Sequence, residues 1–176
     1  MRWEELDQQP CSLARTLSVV GDRWTLLILR DCFLKVRRFE LFEERLGIAR
    51  HILSERLRKL VEAGVLDRVA YQERPRREEY RLTPKGLALH PVLIALLEWG
   101  DTYMADAEGP AVIRRHKGCG EVLHTRMVCG QCGEAVSAHD VSVESGVSVE
   151  SGQGASGADA GLLPQAAALA RSSSSA

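Results

Sequence analysis

The stretch from Phe39 to Gly64 constrains this chain more than any other, because it holds two helical patterns with one glycine between them. Phe39, Phe42 and Leu46 fall on one face of a short helix. Leu53, Leu57, Leu60 and Val61 fall on one face of a longer helix, running from about Arg50 to Ala63. Gly47 turns the chain between them and Gly64 ends the second. Helices this short do not stand alone in water, so both must bury their apolar faces against a shared partner. The pattern then changes period. Val65 to Tyr71 is rich in β-branched residues and reads as a strand; a charged loop carrying Pro75 runs from Gln72 to Glu78; a second strand lies around Tyr80 to Leu82.

The flanking segments supply the partner. Leu13, Leu17 and Val20 recur at helical spacing between Cys11 and Val20, and Gly21 stops that helix. Asp22 is placed to cap a second helix carrying Trp24, Leu26, Leu27, Ile28 and Leu29, apolar nearly all round and therefore central to the core. Thr83-Pro84 is an N-cap followed by proline. It starts a last helix, or a pair kinked at Pro91, bearing Leu93, Leu96, Leu97, Trp99, Gly100 and Tyr103. Short helix, turn, helix and two-stranded hairpin, in that order, make a winged helix-turn-helix, a mainly α fold with a small β-hairpin.

The chain of 176 residues has room for one compact domain and a small annex. Three regions separate by composition: the helical residues 1–110, a Cys-, Gly- and His-rich ribbon at 114–140, and a Ser-, Gly- and Ala-rich tail at 141–176. The tail repeats VSVESG at Val141 and Val147 and holds too little bulky apolar residue to order itself, so it is expected to be disordered. No stretch approaches the ~20 apolar residues of a membrane helix. The N-terminal MRWEELDQQP lacks the apolar centre of a signal peptide, so a cytoplasmic protein with reduced cysteines is expected.

The net charge of −1 does not by itself point to nucleic acid, but its distribution does. From Lys35 to Arg81 there are 13 Lys or Arg against 9 Asp or Glu. On the fourth helix, Arg50, His51, Ser54, Glu55 and Arg58 share the face opposite the leucines. Arg50, His51 and Ser54 stand at its N-terminal end, suited to base edges in a major groove, while Arg58 and Lys59 suit phosphate. A solvated charged face is the plain alternative; the hairpin tip argues against it. Arg74, Arg76 and Arg77 surround Pro75 there, as expected of a wing lying on a phosphate backbone or in a minor groove, although Glu73, Glu78 and Glu79 flank them.

Four ordered blocks, CSLARTLSVVGDRWTLLILRDCF, RFELFEERLGIARHILSERLRKLVEAGVL, RPRREEYRLTPKG and LHPVLIALLEWG, resemble the HxlR family of bacterial winged-helix regulators, relatives of the MarR group. The resemblance covers residues 11 to about 105. It implies a homodimer built from the first and last helices, binding a pseudo-palindromic operator in double-stranded DNA. It further implies transcription regulation, chiefly as a repressor, with release by a small-molecule or redox effector. Arg50 to Lys59 match the recognition helix, Arg74 to Arg77 the wing, and Trp24 and Trp99 core aromatic positions where packing is the expected role. Asp22-Arg23 departs from the family's usual glycine-lysine pair before the first tryptophan. The competing reading is a protein-interaction module that keeps the fold without binding DNA. No Ser-His-Asp set, phosphate loop or paired carboxylates favour an enzyme.

Cys11 matches an N-terminal cysteine that senses electrophiles or oxidants in some members of that family. Its place at a helix N-terminus, with Arg15 one turn on, favours a thiolate; a packed residue at a dimer interface is the alternative. Cys32 is expected to be inert packing. In HKGCGEVLHTRMVCGQCGEAV, Cys129 and Cys132 form a knuckle and Cys119 begins another. A structural zinc needs four N or S ligands, and His116, His124 or His139 can supply the fourth. His116 is preferred because its spacing to Cys119 mirrors that of Cys129 to Cys132. A ribbon that has lost its metal and a redox Cys pair are the alternatives.

Overall fold

The computed structural model describes residues 3–144 apart from 106 and 111, with side chains described from residue 5. A short 3-10 helix (Trp3–Gln8) precedes α1 (Ser12–Val20), α2 (Arg23–Phe33), α3 (Phe39–Leu46), α4 (Arg50–Glu62), β1 (Leu66–Glu73), β2 (Arg76–Leu82), α5 (Pro84–Leu87) and α6 (His90–Tyr103). This is the winged helix-turn-helix order. The chain divides into two compact units, Met1–Met127 and Val128–Ala176. The tail beyond residue 144, including the second VSVESG, lies outside the described residues.

The α2 helix forms the middle of the first unit, packing on α3, α4, α6 and β2. Asp22 caps it as expected, its side chain accepting from the N–H groups of Trp24 and Thr25. Ile28, Leu29, Phe42, Leu53, Leu57 and Leu66 are wholly enclosed in the core, with Leu60 and Val65 at 1% exposure. Asp31 is equally enclosed, and its charge is met by Arg30 at 2.9 Å and Arg45 at 3.2 Å, which ties α3 to α2. An ionised carboxylate inside an apolar helix needs such partners.

Where the hairpin leaves α4, side-chain hydrogen bonds hold it. Thr83 donates its hydroxyl to the Gly64 carbonyl at 2.7 Å, Lys85 donates to the Ala63 carbonyl at 2.7 Å, and Thr83 accepts the N–H of Gly86 at 3.0 Å. Gly86 lies so close to β1 that a Cβ there would stand 2.2 Å from the Val65 carbonyl oxygen. Only a residue without a side chain fits.

The hairpin differs from the sequence expectation. β1 and β2 run to the tip, pairing Gln72 with Arg77 and Glu73 with Arg76, so only Arg74 and Pro75 form the turn. The expected loop at Gln72 to Glu78 is mostly strand. Both faces of this ribbon's outer half carry polar side chains, so the alternation that marks a half-buried strand is missing; cross-strand pairs such as Arg68 with Glu78 at 2.7 Å support it instead. The last helical segment is broken before Pro91, giving α5 and α6. Trp24 packs on the core, whereas Trp99 is 57% exposed and leans on Tyr103, the ring centroids 5.6 Å apart. The packing role expected of Trp99 is therefore not fulfilled within one chain.

Candidate nucleic-acid interface

Burial divides α4 sharply. Leu53, Leu57 and Leu60 are buried, while Arg50, His51, Ser54, Arg58 and Lys59 are exposed and Glu55 is half-buried. The helix–turn–helix unit thus holds α4 by its leucines and offers its other face to solvent. Most cations on that face already have carboxylate partners. Arg50 reaches Glu43 at 2.8 Å across the turn and lies over the Phe39 ring, Arg58 reaches Glu62 at 2.5 Å, and Lys59 reaches Glu55 at 3.0 Å. The hydrogen bond from Lys59, with the charge of Arg56, holds the Glu55 carboxyl below its ordinary range. Exposed pairs of this kind contribute only ~0–1 kcal/mol each, so a phosphate can replace the carboxylate.

The wing tip is less neutralised. Arg76, the first residue of β2, is tied to Glu78 at 3.0 Å. Arg74 and Arg77 are exposed and make no ion pair among the described residues. The base of the wing is fixed to the helices: Glu79, 8% exposed, pairs with Arg81 at 2.6 Å and Arg37 at 3.4 Å, and Tyr80 donates its N–H to the Arg37 carbonyl at 2.8 Å. The Arg81 hydrogen bond, outweighing burial, keeps the Glu79 carboxyl below its usual range.

Two basic residues escaped the sequence reading. Arg38 is exposed at the N-cap of α3 and lies over the Tyr71 ring at 4.7 Å, on the helix that crosses the DNA backbone in such folds. Arg56, largely buried on α4, sets its Nε 3.0 Å from Asp22 Oδ1 and donates from Nη2 to Oδ2 at 3.3 Å. Asp22 therefore caps α2 and holds α4 at once. Burial pushes its carboxyl up, but Arg56 and the two capping N–H groups outweigh that, leaving it below the ordinary 3.8. A depressed carboxyl stabilises the fold above its unfolded pKa and loses that contribution as pH falls through the folded value. Asp22→Ala is expected to cost about 1 kcal/mol or more at neutral pH, since caps are worth ~0.5–2 kcal/mol. Urea midpoints of wild type and variant should converge as pH falls below about 4; a difference independent of pH would count against the ionic role.

The cysteines fall into different settings. Cys11 is exposed at the N-cap of α1, and Arg15 donates to Ser12 at 3.5 Å. Cys32 is buried, and burial together with the Asp31 charge pushes its thiol up to about 12, which keeps it protonated and unreactive. His116 and Cys119 are brought together, as are Cys129 and Cys132, where hydrogen bonds from the Cys132 and Gln131 N–H groups lower the Cys129 thiol. No three His, Cys, Asp or Glu side chains converge among the described residues. His116 and Cys119 belong to a segment tied to α6, through Arg114 to Asp101 and Thr125 to Glu98.

Comparison with known proteins agrees with this geometry. A family model described as HxlR-like helix-turn-helix matches residues 19–108. A protein of Mycobacterium tuberculosis described as an HTH-type transcriptional regulator is 49% identical over 135 residues, covering 77% of this chain and 85% of that one. The crystal structure of PA1607, described as a transcription factor, is 39% identical with a TM-score of 0.71, covering 78% of this chain and 96% of that one. HypR, a redox regulator solved in its oxidized form, is 28% identical with a TM-score of 0.50, covering 55% of this chain and all of that one. A stretch of 135 residues in a 176-residue chain necessarily includes Cys119, Cys129 and Cys132, so the likeness to the mycobacterial protein extends past the family's own boundaries.

Proposed function

The chain belongs to the HxlR-like helix-turn-helix family of transcription regulators, which are not enzymes, and on that premise we propose that it is a repressor gripping a pseudo-palindromic operator as a homodimer. The observation that carries the reading is the split character of α4, leucines enclosed and Arg50, His51 and Ser54 exposed, beside a wing tip with two arginines that make no ion pair among the described residues. Arg50, His51 and Ser54 would read base edges, assisted by Glu55 through its hold on Lys59. Arg58, Lys59, Arg74, Arg76 and Arg77 would meet phosphate.

Apolar surface supports the dimer. Leu13 on α1 and Leu96, Trp99 and Tyr103 on α6 are each half or more exposed, more than a monomer has reason to leave in water. Burying them against a second copy places Trp99 in the packed setting that one chain denies it. The release signal is read as redox or small-molecule. Cys11 is exposed at the start of α1, and the neighbour HypR is a redox regulator. A cavity of about 360 Å³ lies between α1 and the wing base, lined by Arg15, Val19, Val65 and Lys85 among others, and is of a size that holds a small ligand.

The test is binding to the DNA upstream of the protein's own gene, followed by fluorescence anisotropy across a salt series. Specific binding should fall steeply, with a slope near −0.9 per phosphate neutralised. Footprints should show two half-sites about one helical turn apart, weakened by oxidant in wild type but not in Cys11→Ser. Failure to retain any promoter fragment at any salt would favour the interaction-module reading.

A further inference from the structure

The cavity between α1 and the wing base carries charge of one sign. On α1, Ser12, Arg15, Thr16 and Val19 stand three and four residues apart, so one side of that helix turns all four towards it. Lys85 and Leu89 reach it from the segment after the wing, and Val65 from the junction of α4 and β1. Among the described residues that line it there is no Asp or Glu, and Arg15 and Lys85 are in no ion pair with any described residue.

The hydrogen bonds already made there leave donors to spare. Arg15 reaches the Ser12 hydroxyl oxygen at 3.5 Å, near the limit for such a bond. Lys85 donates to the Ala63 carbonyl at 2.7 Å, which leaves two N–H groups of its ammonium for a guest. The Thr16 hydroxyl donates to the Ser12 carbonyl at 2.9 Å, so the Ser12 hydroxyl and the two cations are the donors that remain. Both cations are exposed, and a guest can enter from solvent. A cleft with one sign of charge concentrates ions of the other sign. Val19, Val65 and Leu89 add apolar wall, which a bare inorganic anion would leave wetted and an apolar body would cover.

We propose that this cavity binds a small organic anion, a carboxylate carried on an apolar body, and that this anion is the effector that releases DNA. The guanidinium of Arg15 offers the carboxylate a two-pronged donor, and Lys85 a point charge. A guest held by both joins α1, a helix placed at the dimer contact, to the base of the wing. The effector role rests on the repressor reading; the binding itself does not.

Isothermal titration of the full chain with phenylacetate and with hexanoate should show saturable binding. Each should bind at least ~10-fold more tightly than its uncharged amide, as expected where a charge-assisted hydrogen bond is lost. Inorganic phosphate should not displace them. Arg15→Gln and Lys85→Gln should each weaken the carboxylates about 10-fold, with circular dichroism checking that the variants are folded. Arg15→Gln, on an exposed face of α1, keeps the test open if loss of the Lys85 bond to α4 unsettles the fold. Saturating carboxylate should then weaken operator binding at least ~5-fold in wild type, and less in Arg15→Gln at the same concentration. Failure of both carboxylates to bind up to millimolar concentration overturns the proposal, as does equal binding of the amides or full affinity in Arg15→Gln. Displacement by phosphate overturns the part given to the apolar body. Binding that leaves operator affinity unchanged overturns the effector role, and anisotropy without ligand tests the repressor reading separately.

Discussion

Replacing His51 and Ser54 together by alanine should leave the protein bound to DNA but cut its preference for the operator over unrelated sequence by about 10- to 100-fold. Both side chains are exposed at the N-terminal end of α4 and make no ion pair among the described residues, so their removal disturbs neither packing nor the charge network. A good base-edge interaction is worth ~1–3 kcal/mol of discrimination, and a single hydroxyl or imidazole belongs at the low end. Arg74→Ala with Arg77→Ala should do the converse, weakening every sequence alike and making the salt slope of the proposed dimer shallower by about 4, near 1 for each phosphate left unneutralised across the two wings. These two are a cleaner choice than Arg76, whose guanidinium is shared with Glu78. Competition anisotropy with operator and scrambled duplexes separates the effects. Equal losses on both duplexes in the helix variant would mean that this end of α4 touches backbone, not bases.

The largest loss of stability is expected at Phe42. Its side chain is wholly enclosed and meets Tyr80 of β2 edge-on, the ring centroids 6.5 Å apart, so one residue fills space for both the helix–turn–helix and the wing. Phe42→Ala should cost about 3–5 kcal/mol in urea denaturation, a large part of the ~5–15 kcal/mol that holds a typical domain. Phe42→Leu, which restores most of the volume, should recover most of it. A cost below about 1 kcal/mol for the alanine variant would show that the site collapses around the gap and that the wing is seated by other residues.

The elements most legible in the sequence were those whose signals are local. Asp22 before Trp24, Thr83 before Pro84 and the leucine spacing of α4 each place a boundary within a residue or two, because capping and periodicity act over one turn. The wing's length was not legible. Its outer half is held by charge pairs between strands, and pairing partners are set by register rather than by composition. The roles of Arg45 and Arg56 were hidden for a similar reason. Each answers a carboxylate on another element, Arg45 meeting Asp31 and Arg56 meeting Asp22, and such pairings leave no local mark in the sequence. Trp99 misled because an apolar helix face left exposed has the same sequence pattern as one enclosed in the chain's own core. Within the Cys-rich segment the matched spacing of His116–Cys119 and Cys129–Cys132 was visible; that no third ligand joins either pair among the described residues was not.

The close approach of Gly86 to the Val65 carbonyl bears on how the protein can release DNA. There, Thr83 and Lys85 also fasten the base of the wing to the end of α4. A helix and wing tied in this way would move together as one reader. In the proposed dimer the adjustable quantity is then the distance and twist between two such readers, measured against a DNA repeat of roughly 34 Å. An effector need not touch the reading surface at all. Shifting α1, the helix that carries Cys11, by a few ångströms would put the two readers out of phase with the groove, and the operator would be lost through mismatched pitch.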